Sequence, residues 1–241
     1  MQQLIRRLAA ENPWRARRIQ AELEKLGIKV SLATVSRYLT KRGPDEEQRQ
    51  RWTTFLRNHR DVISAMDFMV VPTVRFKLHY VWFVIGHGRR SVLHVNVAAH
   101  PTSAWVIQQL REAFPDQTSI LFLVYDNDSI FSDRVLDWIE QLGIEPKPTA
   151  LRSPWQNGRA ERWIGTTRRE LPDHVVPTNE KHLRRVLLEY VEYDNRERVH
   201  TRLRDSPTGR PVEERPSSHA QVVGLPRPGG LHHRYAWRQA A

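Results

Sequence analysis

The sequence predicts an α/β protein in which a mixed five-stranded sheet is flanked by helices and preceded by a small helix-turn-helix module. Two observations lead to this fold class. Three short segments rich in Val, Ile and aromatic residues come first, and two more such segments then alternate with longer segments whose apolar residues recur at helical spacing. A polar stretch separates this α/β region from two short helical segments that precede it. The length of 241 residues is sufficient for one good-sized core and a small module.

The front module covers residues 1–42. Apolar spacing predicts a helix over Arg15–Leu26, which Gly27 is placed to end, and Ser31 can cap a second helix. Helix, short Gly-containing turn and helix form the helix-turn-helix pattern. The outward residues of the second helix, which are of types that contact bases and phosphates, are Thr34, Ser36, Arg37, Lys41 and Arg42. The alternative is an ordinary helical hairpin with a basic, solvated face, because the pattern is short and degenerate.

The main domain is predicted over residues 58–198, after a polar and charged linker at 43–57. Its predicted strands are Ile63–Val71, Leu78–Ile85, Ser91–Ala98, Ser119–Tyr125 and Ile144–Thr149. Its predicted helices are Thr102–Phe114, Ser132–Leu142, Arg159–Leu171 and Thr178–Asn195. Residues 199–241 are rich in Pro, Arg and His, and they form either a basic C-terminal tail or a small β element.

Composition limits the class of partner. The net charge of +11 indicates nucleic acid or another anionic surface. No apolar run approaches the roughly 20 residues that a membrane span needs, and the N-terminus lacks the apolar core of a signal peptide. The absence of Cys excludes disulfides and thiolate zinc sites, and it is compatible with a reducing cytoplasm. We therefore expect no membrane partner.

Three acidic residues are the candidates for chemistry. Asp67 and Asp126 each close an apolar run, and Glu161 follows in a predicted helix. A buried carboxylate is costly unless its charge is compensated, and carboxylates brought together from separate segments would repel one another. A divalent cation removes that repulsion. In a chain with this positive charge, the pattern favours a metal site that acts on nucleic acid.

The segments around these acids resemble a known family. DFMVVPT, YDNDSIF, SPWQNGRAERWIGTTRREL and NEKHLRRVLLEYVEYDNRERVH are similar to the integrase-core transposases of bacterial insertion sequences, which belong to the retroviral integrase superfamily. The resemblance implies an RNase H-like fold, with Asp67, Asp126 and Glu161 as the catalytic and metal-holding acids. Asp128 is a rival of Asp126, which we prefer for its place at the strand end. Relatives often carry more sequence before the front module, so the resemblance also implies a short or truncated version.

The chemistry that the resemblance implies is metal-dependent phosphodiester cleavage at element ends, followed by strand transfer into target DNA. Two Mg²⁺ or Mn²⁺ ions would be held by the three acids, with Asp67 bridging both. The partners would be double-stranded DNA and further copies of this chain, in a bacterial cytoplasm. The alternatives are a non-catalytic DNA-binding relic or regulator of a mobile element, and an RNase H-type nuclease that cuts without joining.

Further DNA contacts are predicted around the helix that carries Glu161. The candidates are Asn157, Arg162, Arg168 and Arg169. We favour Arg168, because it lies two turns after Glu161 on the same helix face and this face must meet the substrate. For Arg162 and Arg169 a solvated basic face is an equal alternative. Asn157 is equally compatible with a turn residue in the loop over 153–158, which we expect to be mobile beside the site.

Overall fold

The computed structural model describes residues 1–12, 14, 16–39, 46–115, 119–150 and 153–239. These residues cluster into two compact units, Met1–Gln50 and Arg51–Ala241. Among the helices of the described residues, none is both long and apolar enough to cross a membrane.

The first unit is a group of short helices around a small apolar core. Its helices are α1 (Gln2–Glu11), α2 (Ala16–Lys25) and α3 (Leu32–Tyr38). Its fully buried side chains are Ile5, Ile19, Leu23 and Val35. Gly27 ends the turn after α2 with a φ of 78°, a left-handed conformation that favours glycine. The Ser31 hydroxyl accepts a hydrogen bond of 3.1 Å from the Thr34 N–H and thereby caps α3.

The segment predicted as a linker is largely helical. Helix α4 (Glu46–Asn58) covers most of it. Trp52, Phe55 and Leu56 recur at helical spacing and pack against the core of the second unit. The polar residues before Trp52 suggest a linker, whereas the apolar residues after it supply the burial that stabilises a helix.

The second unit is built on a mixed five-stranded sheet. Its strands are β1 (Ile63–Pro72), β2 (Leu78–Gly86), β3 (Val92–Ala98), β4 (Phe122–Tyr125) and β5 (Glu145–Pro148). The strand order is β3-β2-β1-β4-β5. Strands β1, β2 and β3 are antiparallel neighbours, and β4 and β5 run parallel to β1. The predicted fold class is confirmed.

Helices cover both faces of this sheet. They are α5 (Ser103–Ala113), α6 (Asp133–Gln141), α7 (Gly158–Glu170) and α8 (Glu180–Arg196). Alternate residues of β1 divide between two apolar cores: Ala65 and Met69 belong to the core beneath α7 and α8, and Met66 belongs to the core beneath α5 and α6. The sheet therefore has two distinct faces, and α7 lies on the face towards which Ala65 points.

The C-terminal segment forms a hairpin. Strands β6 (Gln221–Arg227) and β7 (His232–Arg238) pair antiparallel. Arg227 forms an ion pair with Glu197, and the His232 ring stacks on Tyr193 with ring centres 5.0 Å apart. Of the two alternatives left open by the sequence, the structure contains the small β element.

Candidate active site

The register of two parallel strands brings Asp67 and Asp126 alongside each other. Ala65 of β1 is paired with Val124 of β4, and both side chains belong to the core beneath α7 and α8. Asp67 lies two residues after Ala65, and Asp126 lies two residues after Val124, directly after the last residue of β4. Because side chains alternate along a strand, both carboxylates face the side of the sheet that α7 covers.

Asp67 is held in place by hydrogen bonds from the backbone and from one amide. Its side chain is buried, and Oδ1 accepts a 2.7 Å hydrogen bond from the Phe68 N–H. The Nδ2 of Asn157 lies 3.4 Å from Oδ2 and 3.3 Å from the Met66 carbonyl oxygen. These contacts fix the orientation of the carboxylate in the middle of β1.

The electrostatic environment opposes ionisation of Asp67. The pKa of Asp67 is raised from 3.8 to about 7, mainly by burial, and the hydrogen bond from Phe68 offsets part of this rise. The negative charges of Asp126, Glu161 and Asp128 contribute to the rise. These three carboxylates therefore lie within electrostatic range of Asp67. We call Asp67, Asp126 and Glu161 the acid pocket.

Glu161 reaches the acid pocket from helix α7. A 3-10 turn at Pro154–Asn157 leads directly into α7, and the buried residues Ala160 and Ile164 hold the helix on the sheet. Glu161 lies in the first turn, where the helix dipole favours a negative charge, and its side chain is exposed. The helix thus presents an accessible carboxylate next to a buried one.

The structure distinguishes Asp126 from its rival Asp128. Burial raises the pKa of Asp126, and the nearby Asp128 carboxylate adds to the rise. Asp128 is exposed, and its Oδ1 accepts a hydrogen bond of 3.2 Å from the Ile130 N–H, which closes a turn. Asp126 is the acid in register with Asp67, so the geometry favours Asp126.

The donor set of the acid pocket suits a hard divalent cation. Carboxylate oxygens are the ligands that Mg²⁺ and Mn²⁺ prefer. Within the described residues no Lys or Arg forms an ion pair with Asp67, Asp126 or Glu161, and the buried Oδ1 of Asn157 has no hydrogen-bond partner. The side chains are not yet at ligand spacing, because the described residues contain no group of three or more His, Asp or Glu placed to hold a metal ion.

The predicted DNA contacts near α7 have different surroundings. Arg168 and Arg169 are exposed on α7. Arg162 is also exposed, but it lines a cavity with other arginines rather than the acid pocket. Asn157 is 3% exposed, and its amide faces Asp67. The amide of Asn157 therefore has a partner within the protein, and the DNA contact of Asn157 stays a prediction.

The predicted contacts of the front module lie on or after α3. Ser36 and Arg37 are exposed. Thr34 is partly buried, and its hydroxyl is 2.9 Å from that of Ser31 in the helix cap. Lys41 and Arg42 lie outside the described residues.

A second group of candidate functional residues is not recognisable in the sequence. Arginines from four separate segments line a cavity of about 440 Å³ beside α7. They are Arg57, Arg60, Arg90, Arg159, Arg162 and Arg202. We call the last five of these, together with His87, the arginine cavity. The basic runs GRR and RERVHTRLR contain Arg90 and Arg202, but the sequence does not reveal which arginines meet.

The second unit has an RNase H-like fold. Residues 142–207 match the integrase core domain. This match and the fold support a relationship to the integrase-core superfamily. No curated protein matches the chain.

Several solved structures are similar to parts of this chain. The intasome of simian T-cell lymphotropic virus in complex with the PP2A regulatory subunit B56 gamma aligns with 18% identity and a TM-score of 0.50, over 74% of this chain and 66% of that one. The chain thus spans slightly less than two thirds of that protein. The HTLV-2 integrase catalytic core domain in complex with magnesium aligns at 14% identity, with a TM-score of 0.49, over 61% of this chain and 94% of that one. The catalytic domain of the Mos1 mariner transposase aligns at 17% identity, with a TM-score of 0.48, over 64% of this chain and 85% of that one.

Proposed function

We propose that the protein is a DNA transposase or integrase that cleaves phosphodiester bonds at the ends of a mobile element and joins them to target DNA. The observation that carries this proposal is the acid pocket: Asp67 and Asp126 each lie two residues beyond the paired residues Ala65 and Val124 of two parallel strands, and Glu161 contributes to the raised pKa of Asp67. In this proposal residues 58–198 perform the chemistry, and residues 1–42 dock on DNA through Ser36 and Arg37 of α3.

Asp67, Asp126 and Glu161 would hold two Mg²⁺ or Mn²⁺ ions. Bound there, the ions would neutralise the charge on the attacking and leaving oxygens of an in-line displacement. Asp67 has to be ionised to serve as a ligand, and its raised pKa indicates that the folded chain alone does not favour this state. The amide of Asn157 would orient the Asp67 carboxylate towards the bound ions.

The substrate would approach the exposed side of α7. Glu161 is exposed there, and Arg168 follows it by two helical turns on the same side. Arg168 is thus available for a phosphate next to the one that reacts. The net charge of +11 favours DNA as the partner throughout. We also propose that several copies act together on the element ends.

The experiment is a cleavage and joining assay on labelled DNA fragments taken from either side of the gene. The parent is expected to nick the fragment in the presence of Mg²⁺ or Mn²⁺ and to join it to a second duplex. Asp67→Asn is expected to abolish nicking and to leave DNA binding intact. The matched control is Asp137→Asn, which removes one exposed carboxylate of α6. Nicking by Asp67→Asn at the parent rate would contradict the site assignment.

A second candidate is a DNA-binding relic or regulator without catalysis. It is favoured by one observation, the absence of a formed three-ligand metal group within the described residues. Binding of the fragment without nicking at any metal concentration would select this candidate. Nicking without joined products would instead select a nuclease of the RNase H type.

A further inference from the structure

The arginine cavity contains positive charge that no described acid neutralises. Of its arginines, Arg60 donates a 2.6 Å hydrogen bond to the Gly88 carbonyl oxygen, and Arg90 has a buried Nε without a partner. No Asp or Glu lines the cavity. Asp61 follows Arg60 in the chain but is exposed and forms no ion pair with a described residue.

Mutual repulsion acts on these side chains because they line one cavity. Burial and the charges of Arg202, Arg162 and Arg60 lower the pKa of Arg90. A set of like charges that destabilise one another is explained if an anion occupies the space between them.

His87 supplies a second and independent indication of a ligand. It lines the cavity, is 3% exposed, and its buried Nε2 has no hydrogen-bond partner. Burial and the charge of Arg159 lower the pKa of His87 to about 3, so the imidazole is neutral. A buried nitrogen without a partner is costly, and a ligand atom at this position would satisfy it.

Other arginines of the same unit are paired and serve as a contrast. Arg89 is 3.0 Å from Asp205, and Arg198 contacts both Asp194 and Glu170. These arginines are thus paired with carboxylates, whereas no carboxylate lines the arginine cavity. Arg90 is in addition held at a φ of 65°, a left-handed conformation that is unfavourable for a non-glycine residue.

The cavity is distinct from the acid pocket but shares α7 with it. Arg159 and Glu161 are two residues apart, which corresponds to about 200° around the helix axis. The two sites thus lie on different flanks of one helix, which is about 10 Å wide. A DNA strand has a phosphate every few ångströms along its backbone. A strand that passes Glu161 can therefore reach the cavity across α7.

We infer that the arginine cavity binds the phosphate backbone of DNA at a second contact, outside the acid pocket. The inference rests on the proposed function for its choice of DNA as the source of phosphate. Guanidinium groups match phosphate oxygens bidentately, and five of them without an acid form an anion site of high charge. The neutral His87 adds an N–H donor or an acceptor, depending on its tautomer.

The first test measures DNA binding by the full chain in metal-free buffer across a range of salt concentrations. The double variant Arg90→Gln/Arg159→Gln is compared with Arg111→Gln/Arg134→Gln, which removes two exposed charges from α5 and α6 on the other face of the sheet. The cavity variant is expected to bind more weakly, with a salt slope reduced by about 1 for each lost phosphate contact, whatever the duplex sequence. Equal affinity and slope in both variants would overturn the inference.

The second test needs no substitution. Phenylglyoxal modifies accessible arginines, and mass spectrometry reads the rate at each one. A bound duplex is expected to slow modification of Arg90, Arg159 and Arg202 more than that of Arg111. Protection by pyrophosphate without protection by the duplex would overturn the choice of DNA and identify a soluble phosphate compound instead. Protection by DNA in a protein that never cleaves would support the inference and contradict the catalytic proposal.

Discussion

The two flanks of α7 carry opposite charge and differ in how the chain balances it. In the acid pocket, buried Asp67 is surrounded by other carboxylates, and its pKa rises to about 7. In the arginine cavity, Arg159 is surrounded by other guanidinium groups, and its pKa falls to about 10. Elsewhere in the same unit opposite charges pair, as Arg198 does with Asp194. The acid pocket and the arginine cavity thus each gather charge of one sign, and each is suited to a ligand of the opposite sign.

The largest expected effect tests the chemistry of the acid pocket. Glu161→Gln retains the size of the side chain but removes its charge. A metal ligand contributes several kcal/mol to the transition state, so cleavage is expected to fall by about 1,000-fold while DNA binding remains. Single-turnover nicking of a labelled duplex measures the fall. Glu140→Gln on α6 is the matched control, and equal losses in both variants would show that Glu161 has no special role.

The next effect concerns stability of the metal-free protein as pH changes. Because the folded pKa of Asp67 lies above its ordinary value of 3.8, the folded state retains a proton that the unfolded state loses, and stability falls as pH rises through about 7. Asp67→Asn removes the free-energy cost of ionising this buried carboxyl group. At about 1.4 kcal/mol per pKa unit, the variant gains at most about 4 kcal/mol above pH 7.

Denaturant unfolding of parent and Asp67→Asn at several pH values measures this difference. The gain is expected to be large at about pH 8 and to vanish near about pH 4, where both states of the parent are protonated. A gain that does not change with pH would mean that ionisation of Asp67 is not its cause.

A third prediction contrasts a paired arginine with an unpaired one. Arg198→Gln leaves buried Asp194 without its 2.9 Å partner, so the free energy of unfolding is expected to fall by about 2 to 3 kcal/mol. Arg159→Gln relieves repulsion, so stability is expected to be unchanged or higher by up to about 1 kcal/mol. Thermal unfolding of both variants in phosphate-free buffer provides the measurement. A comparable loss in Arg159→Gln would mean that the cavity arginines are structural.

The smallest expected effect concerns the positioning of Asp67. Asn157→Ala removes the amide that faces the carboxylate, and cleavage is expected to fall about 10-fold, as for partners that orient a metal ligand. The metal concentration for half-maximal cleavage is expected to rise in parallel. A fall in rate with no change in metal requirement would assign Asn157 to another step.

The strands and most helices of the second unit could be predicted from local patterns. Alternation and β-branched residues mark β1 to β3, and helical spacing marks α5 to α8. The patterns failed where polar residues surround an apolar face, as in α4, whose Trp52 and Phe55 are partly buried against the core. Predicted element ends differ from the observed ones by a few residues, because capping depends on the surrounding structure.

The candidate sites were predictable to different degrees. The three acids could be named because Asp67 and Asp126 each close an apolar run and Glu161 lies in a predicted helix. Their proximity in space could not be predicted, because it depends on the β1–β4 register, which local sequence patterns do not contain. The arginine cavity could not be predicted. Its members lie up to 142 positions apart, between Arg60 and Arg202, and nothing local separates them from the other arginines of a basic chain. Burial of Asn157 likewise becomes visible only when α7 is docked on the sheet.

The most direct measurement is Mn²⁺ binding to the full-length protein, followed by electron paramagnetic resonance. The parent is expected to bind Mn²⁺ at a site that Asp67→Asn and Glu161→Gln both lose and that Asp137→Asn retains. Binding by Asp67→Asn with the same affinity and stoichiometry as the parent would contradict the claim that these carboxylates form a metal centre.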